Sequence, residues 1–176
     1  AAGVGMLLTA PEVDGVVRRL PLIVQINKEL YPTLPLEILR VVSNDPSYQA
    51  KVNQAGVTAI RIPKFKTIKT DENGRVWLNF KYTFDSFSFT KEDWSEVKGK
   101  IVMIAPTAEG LSNTVATSVN IKNGYEIPLF AAQMLLDDSR LERPSEFNTY
   151  EILYGLVAAL VVIVAFIWLN YLVCAG

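Results

Sequence analysis

The chain has 176 residues, with 17 Lys+Arg against 18 Asp+Glu, half of them hydrophobic, no histidine and one cysteine. A net charge of -1 gives no basic footprint for nucleic acid, and the missing histidine removes the usual general base, triad partner and commonest metal ligand. A lone cysteine, Cys174, forms neither an internal disulfide nor a Cys-x-x-Cys metal site, so no cofactor or metal is expected.

Residues 1–151 are long enough for one domain with a sizeable core. Residues 2–8, AGVGMLL, are small and apolar and predict a buried strand. Asp14-Gly15 is turn chemistry, and 16–26, VVRRLPLIVQI, reads as a strand in which Pro21 marks an edge or a bulge. Thr33 is placed to cap a helix with Pro35 in its first turn and Leu36, Ile38, Leu39 and Val42 on one face. Residues 57–62, VTAIRI, alternate as a half-buried strand. The segments 65–69 and 75–82 predict a hairpin around Asp71-Glu72-Asn73-Gly74, with Val76, Leu78 and Phe80 on one face and Arg75, Trp77, Asn79 and Lys81 on the other.

After a Phe/Ser-rich loop, Thr90 and Asp93 resemble a short helix start. The apolar run IVMIA, 101–105, predicts a central strand buried on both faces, and it opens into a long loop at 106–124. Residues 126–136 predict a helix with Pro128 near its first turn. Residues 140–144 form a linker, and Ser145 is placed to cap the helix that follows.

The last stretch, 152–174, has 23 residues without a charge or a proline. As a helix it is about 34 Å long, enough for a hydrocarbon core of about 30 Å, so it predicts a transmembrane span with the lipid bilayer as its partner. Gly155 and Ala159 form a small-xxx-small pair, and Trp168 and Tyr171 suit an interface. The predicted fold is α/β, a mixed β-sheet with flanking helices, followed by one transmembrane α-helix. In such a sheet a ligand sits at the carboxyl end of a central strand, which singles out 106–124.

Several stretches together carry a family resemblance. GKIVMIAPTAEGLSNTVATSV (99–119) and NGYEIPLFAAQMLLDDSRLERP (123–144) are similar to the end of a CHASE2 sensor domain. VDGVVRRLPL (13–22), LYPTLPLEIL (30–39) and NGRVWLNF (73–80) agree with it in the family's order. The sequence departs from the family pattern at Ala105-Pro106, Asn113, Ser118 and 125–129, so the loop keeps its outline with altered chemistry.

The resemblance implies an extracytoplasmic sensor of a bacterial plasma (inner) membrane receptor. An adenylate or guanylate cyclase, histidine kinase, diguanylate cyclase or Ser/Thr kinase would follow on the cytoplasmic side. It implies that 1–144 is a CHASE2-like domain lacking its N-terminal part, that 145–176 is linker and membrane helix, and that the sequence is a fragment. Arg140 and Arg143 would weakly argue for a cytoplasmic domain by the positive-inside rule, but neighbouring Glu142, Glu146 and Glu151 make that evidence thin.

Thr107, Glu109, Asn113, Thr114, Thr117 and Glu126 offer hydroxyl, amide and carboxylate groups for a small polar ligand, against the reading that they satisfy the loop's own backbone. Gly110 is expected at positive φ. Arg18 is a candidate for a ligand carboxylate, against an ion-pair role. On a strand Arg18 and Arg19 point to opposite faces, so only one of them can face a pocket. Arg75, Trp77 and Asn79 make a pocket wall or a solvent face. No catalytic site is expected: no histidine activates the hydroxyls, and Glu109 with Glu126 would need a defined separation. The leading expectation is therefore a sensor of a small ligand or envelope signal, dimeric with a second copy. The alternative is a membrane-anchored dimerisation or docking module without a ligand.

Overall fold

A computed structural model describes residues 2–54, 56–88, 90, 94–108, 110–141 and 147–175. They divide into two units, Ala1–Leu141 and Glu142–Gly176.

In the first unit β1 (Val16–Val17), β2 (Arg19–Pro21) and β3 (Ile23–Ile26) come in quick succession. The chain turns through Asn27 and Lys28, both at positive φ, into β4 (Glu29–Pro32). α1 (Leu34–Val42) starts with Pro35 in its first turn and stops at Ser43 and the left-handed Asn44. β5 (Gln49–Asn53), β6 (Gly56–Arg61) and β7 (Thr67–Lys69) form an antiparallel meander, followed by β8 (Arg75–Trp77). After a 3-10 turn at Ser95–Val97 come β9 (Thr114–Thr117), β10 (Ile121–Asn123) and α2 (Glu126–Leu136).

The strands form four small sheets: β1-β9-β10, β2-β8, β3-β4 and β5-β6-β7. The first is mixed, with β1 parallel and β10 antiparallel to β9. The fold is thus α/β with mixed pairing, as the sequence predicts, but the expected single strand at 16–26 is split because each piece takes a different partner. Pro21 falls in a two-stranded pair whose members are both edges, where its missing amide costs least.

The helices pack on each other over the core. Ile127, Phe130, Ala131, Met134 and Leu135 recur at helical spacing, and all are fully buried. Leu36 and Leu39 of α1 and Leu20, Leu22, Ile60, Ile68, Val76 and Leu78 of the strands complete the cluster. Phe130 takes Phe80 and Phe84 edge-on, with centroids 5.2 and 4.9 Å away. The alternation read from 76–80 holds, with Val76, Leu78 and Phe80 all buried.

Thr33 stands at the start of α1, yet its hydroxyl donates to the carbonyls of Pro21 and Leu22 and does not cap the helix. Glu37, buried, takes Arg40 on both carboxylate oxygens at 2.9 and 2.7 Å. The N-terminal residues lie against α1 so closely that a Cβ on Gly5 would stand 2.7 Å from Leu34 Cα.

Four local expectations are corrected. Residues 2–8 make a single bridge, Met6 with Thr33, and leave Val4 and Leu7 exposed. The strands expected to form a hairpin part company: Asp71 and Arg75 close a tight turn, but β7 pairs with β6 and β8 with β2. The run 101–105 takes no regular secondary structure and has no strand partner among the described residues, and Ile104 is 78% exposed. Apolar composition raises strand propensity but supplies no neighbour to hydrogen-bond with. Residues 114–123 of the expected long loop are the hairpin β9–β10, so the argument for a ligand at the end of a central strand loses its premise.

The second unit contains α3 (Phe147–Ala175), 29 residues long. Its segment Thr149–Trp168 is apolar and long enough to cross a membrane, with a mean hydropathy of 2.4. The expected caps at Thr90–Asp93 and Ser145 involve residues outside those described.

Candidate functional site

The site grows from the turn before β1. Gly15 N–H donates to the Glu12 carbonyl at 2.8 Å, and Val16 N–H donates to Asp14 Oδ1 at 3.1 Å. The turn brings both carboxylates to the arginines that follow. Arg18 Nη1 reaches Glu12 Oε2 at 3.2 Å, and its Nη2 reaches Asp14 Oδ2 at 2.7 Å. Arg19 Nε donates to Glu12 Oε1 at 2.7 Å. The two arginines therefore do not diverge as on a regular strand: Arg18 stands in the gap between β1 and β2, and both grip Glu12.

The β2–β8 register extends the cluster. Leu20 pairs with Val76 on the buried face, so Arg19, Trp77, Pro21 and Arg75 share the opposite face. Arg19 lies 4.9 Å from the Trp77 ring centroid. Asp71 Oδ2 receives Arg75 Nε at 2.9 Å and Arg19 Nη1 at 3.3 Å. Three guanidinium groups thus meet three carboxylates, and the cluster has no net charge. An open concavity of about 510 Å³ beside it is lined by Pro11, Glu12, Val13, Asp14, Arg19 and Arg75.

These contacts shift proton affinities in the expected directions. The hydrogen bond from Arg19 lowers the Glu12 carboxyl below its usual value against the opposing pull of burial. The hydrogen bond from Arg18 lowers Asp14 likewise, and the same pair raises Arg18.

The other sequence candidates are placed differently. Thr107 is exposed, and Glu109 lies outside the described residues. Asn113 is exposed, and its carbonyl accepts Gly124 N–H at 2.7 Å. Thr114 pairs with Asn123 in the hairpin register. Thr117 is buried and bonds its own turn: Oγ1 donates to the Asn120 carbonyl at 2.6 Å and accepts Asn120 N–H at 3.2 Å. Glu126 Oε1 takes Asn123 N–H at 3.1 Å and Asn123 Nδ2 at 2.8 Å, fixing the entry to α2. Gly110 has positive φ as expected.

Arg18 is an ion-pair residue in the cluster, and Arg19 and Arg75, read as possible pocket residues, line the concavity. Sequence reasoning missed Glu12, Asp14 and Asp71. The available signal was Glu-x-Asp-Gly three residues before Arg18-Arg19, and Asp71 four residues before Arg75.

The family model for the CHASE2 domain matches residues 1–168. CHASE2 domains are extracellular sensor domains. No curated protein and no solved structure matches the chain.

Proposed function

This chain belongs to the CHASE2 domain family, and from that premise we propose that its first unit is the ligand-sensing part of a bacterial inner-membrane receptor. Family membership gives the domain a sensory role and an extracytoplasmic place. The observation that carries the reading further is the sequence of parts in one chain: a CHASE2 match over 1–168 that runs into the apolar α3. A signal in the first unit would reach a cytoplasmic nucleotide cyclase or kinase through that helix, by favouring one of two receptor arrangements. The test is topology with output. Ser86→Cys, at an exposed loop position, should label with a membrane-impermeant maleimide in intact cells, in a background where Cys174 is Ser. The chain fused ahead of a cyclase should change its cyclic-nucleotide output with the external medium. Protection of the cysteine until cells are opened would sink the reading.

A second reading, a homodimerisation module without a ligand, is favoured by the exposed apolar Ile101, Val102 and Ile104 on a segment with no strand partner among the described residues. It predicts a concentration-dependent dimer in sedimentation, weakened by Ile104→Lys.

A further inference from the structure

We propose that the concavity beside Glu12, Asp14, Arg19 and Arg75 binds a free amino acid, gripping its carboxylate with the arginines and its ammonium with the acids. The proposal rests on the sensory reading and names the ligand class.

The first argument is the state of the donors. Arg75 uses only Nε on a protein acceptor, Asp71, so among the described residues both of its Nη atoms lack one. Arg19 uses Nε on Glu12 and Nη1 on Asp71, leaving Nη2. Both side chains line the concavity, about a quarter exposed, which keeps these nitrogens within a ligand's reach. A guanidinium edge with two such donors suits a carboxylate.

The second argument is the carboxylates that line the same concavity. Glu12 takes one guanidinium hydrogen bond on each oxygen. A carboxylate oxygen has two lone-pair sites, so each retains room for an ammonium donor. Asp14 also lines the concavity; its Oδ1 already takes Val16 N–H and Arg18 Nη1 and its Oδ2 takes Arg18 Nη2, which leaves one acceptor position on Oδ2.

The charge sum then selects the ligand. Two arginines and two carboxylates line the concavity, so its lining is neutral. A bare anion paired with Arg75 would meet the negative charge of Glu12 and Asp14 in the same lining, and a bare cation would meet the reverse. A zwitterion offers a carboxylate to Arg75 and an ammonium to Glu12 and adds no net charge. The volume lies within the range of small-molecule sites, about 300–1,000 Å³, and Pro11 and Val13 offer an apolar edge for a side chain. A ligand held this way links the 12–15 turn to the β2–β8 pair, two parts of the unit joined at present through Arg19.

The experiment titrates the 176-residue chain in lipid nanodiscs with each standard L-amino acid by calorimetry. It then repeats the titration with the deaminated acid and the decarboxylated amine of every binder. At least one amino acid should bind with a Kd of about 1 mM or tighter, and both analogues should bind at least about tenfold more weakly. Arg75→Gln should weaken binding by about tenfold or more. If that variant fails to fold, Arg75→Lys, which keeps the charge and loses the fork, should show the loss instead. Val13→Trp, at a fully exposed rim position, should block the concavity without touching the core. Absence of binding by any standard amino acid, analogues that bind as well as the parent, or binding that survives both the Arg75 and Val13 substitutions overturns the proposal. Such a failure is distinct from failure of the sensory reading, which the Ser86→Cys labelling tests without any ligand.

Discussion

Thr117 occupies a position where its type and loop setting suggest a ligand contact, yet its hydroxyl is engaged with both backbone groups of Asn120. Thr117→Val keeps the shape and removes both hydroxyl bonds, while the exposed Asn120 keeps the Thr117 N–H on its carbonyl at 2.9 Å, so it should cost about 0.5–1.5 kcal/mol in denaturant unfolding, and Thr117→Ser should recover most of the loss. The ionic turn gives a second prediction. Glu12 and Asp14 have folded-state proton affinities below their unfolded ones. Their contribution to stability is therefore complete above the ordinary carboxylate range and lost as pH falls through the depressed folded values. The urea midpoint should drop on acidification below that range. Arg18→Gln should flatten the drop, and high salt should shrink it, because these side chains are part-exposed. Residue roles of this kind were only partly legible in the sequence: Arg18 was weighed as an ion-pair residue, but its partners depend on a turn whose hydrogen bonds no spacing rule specifies.

At the level of elements, legibility followed the periodicity. α1 and α2 were readable because apolar residues recur at helical spacing with prolines at their starts, and both lie where that pattern places them. The alternation at 76–80 was equally readable because its faces are set by one chain. Strand pairing was not, because it depends on a second segment whose identity the local pattern does not encode. That is why the local pattern joins β7 and β8, which take different partners in the structure, and why it makes a central strand of 101–105, which has no strand partner among the described residues. Two predictions belong here. Phe130→Ala removes the ring that Phe80 and Phe84 approach, and it should cost about 3–5 kcal/mol in unfolding free energy. Gly5→Ala would bring its Cβ against the Leu34 backbone, so the N-terminal residues must shift away from α1. Amide exchange of Met6, which donates to the Pro32 carbonyl, should then rise well above that of the core strands.

For the whole molecule the decisive element is α3, the one segment whose class was legible from composition alone. A charge at its centre, Leu160→Arg, should reduce membrane integration by about 2.5–3.5 kcal/mol, read as a larger fraction extracted by carbonate. The first unit's own unfolding should be unchanged. α3 also has a consequence for how it can move. Its apolar residues are distributed all round its described length, with no polar stripe to prefer water or protein on one side. Turning such a cylinder about its long axis exchanges one hydrocarbon surface for another, so the lipid exerts almost no torque on it. Within a bilayer its azimuth would be left to protein contacts, and a few degrees of rotation imposed at one end would meet little resistance from the lipid along the way.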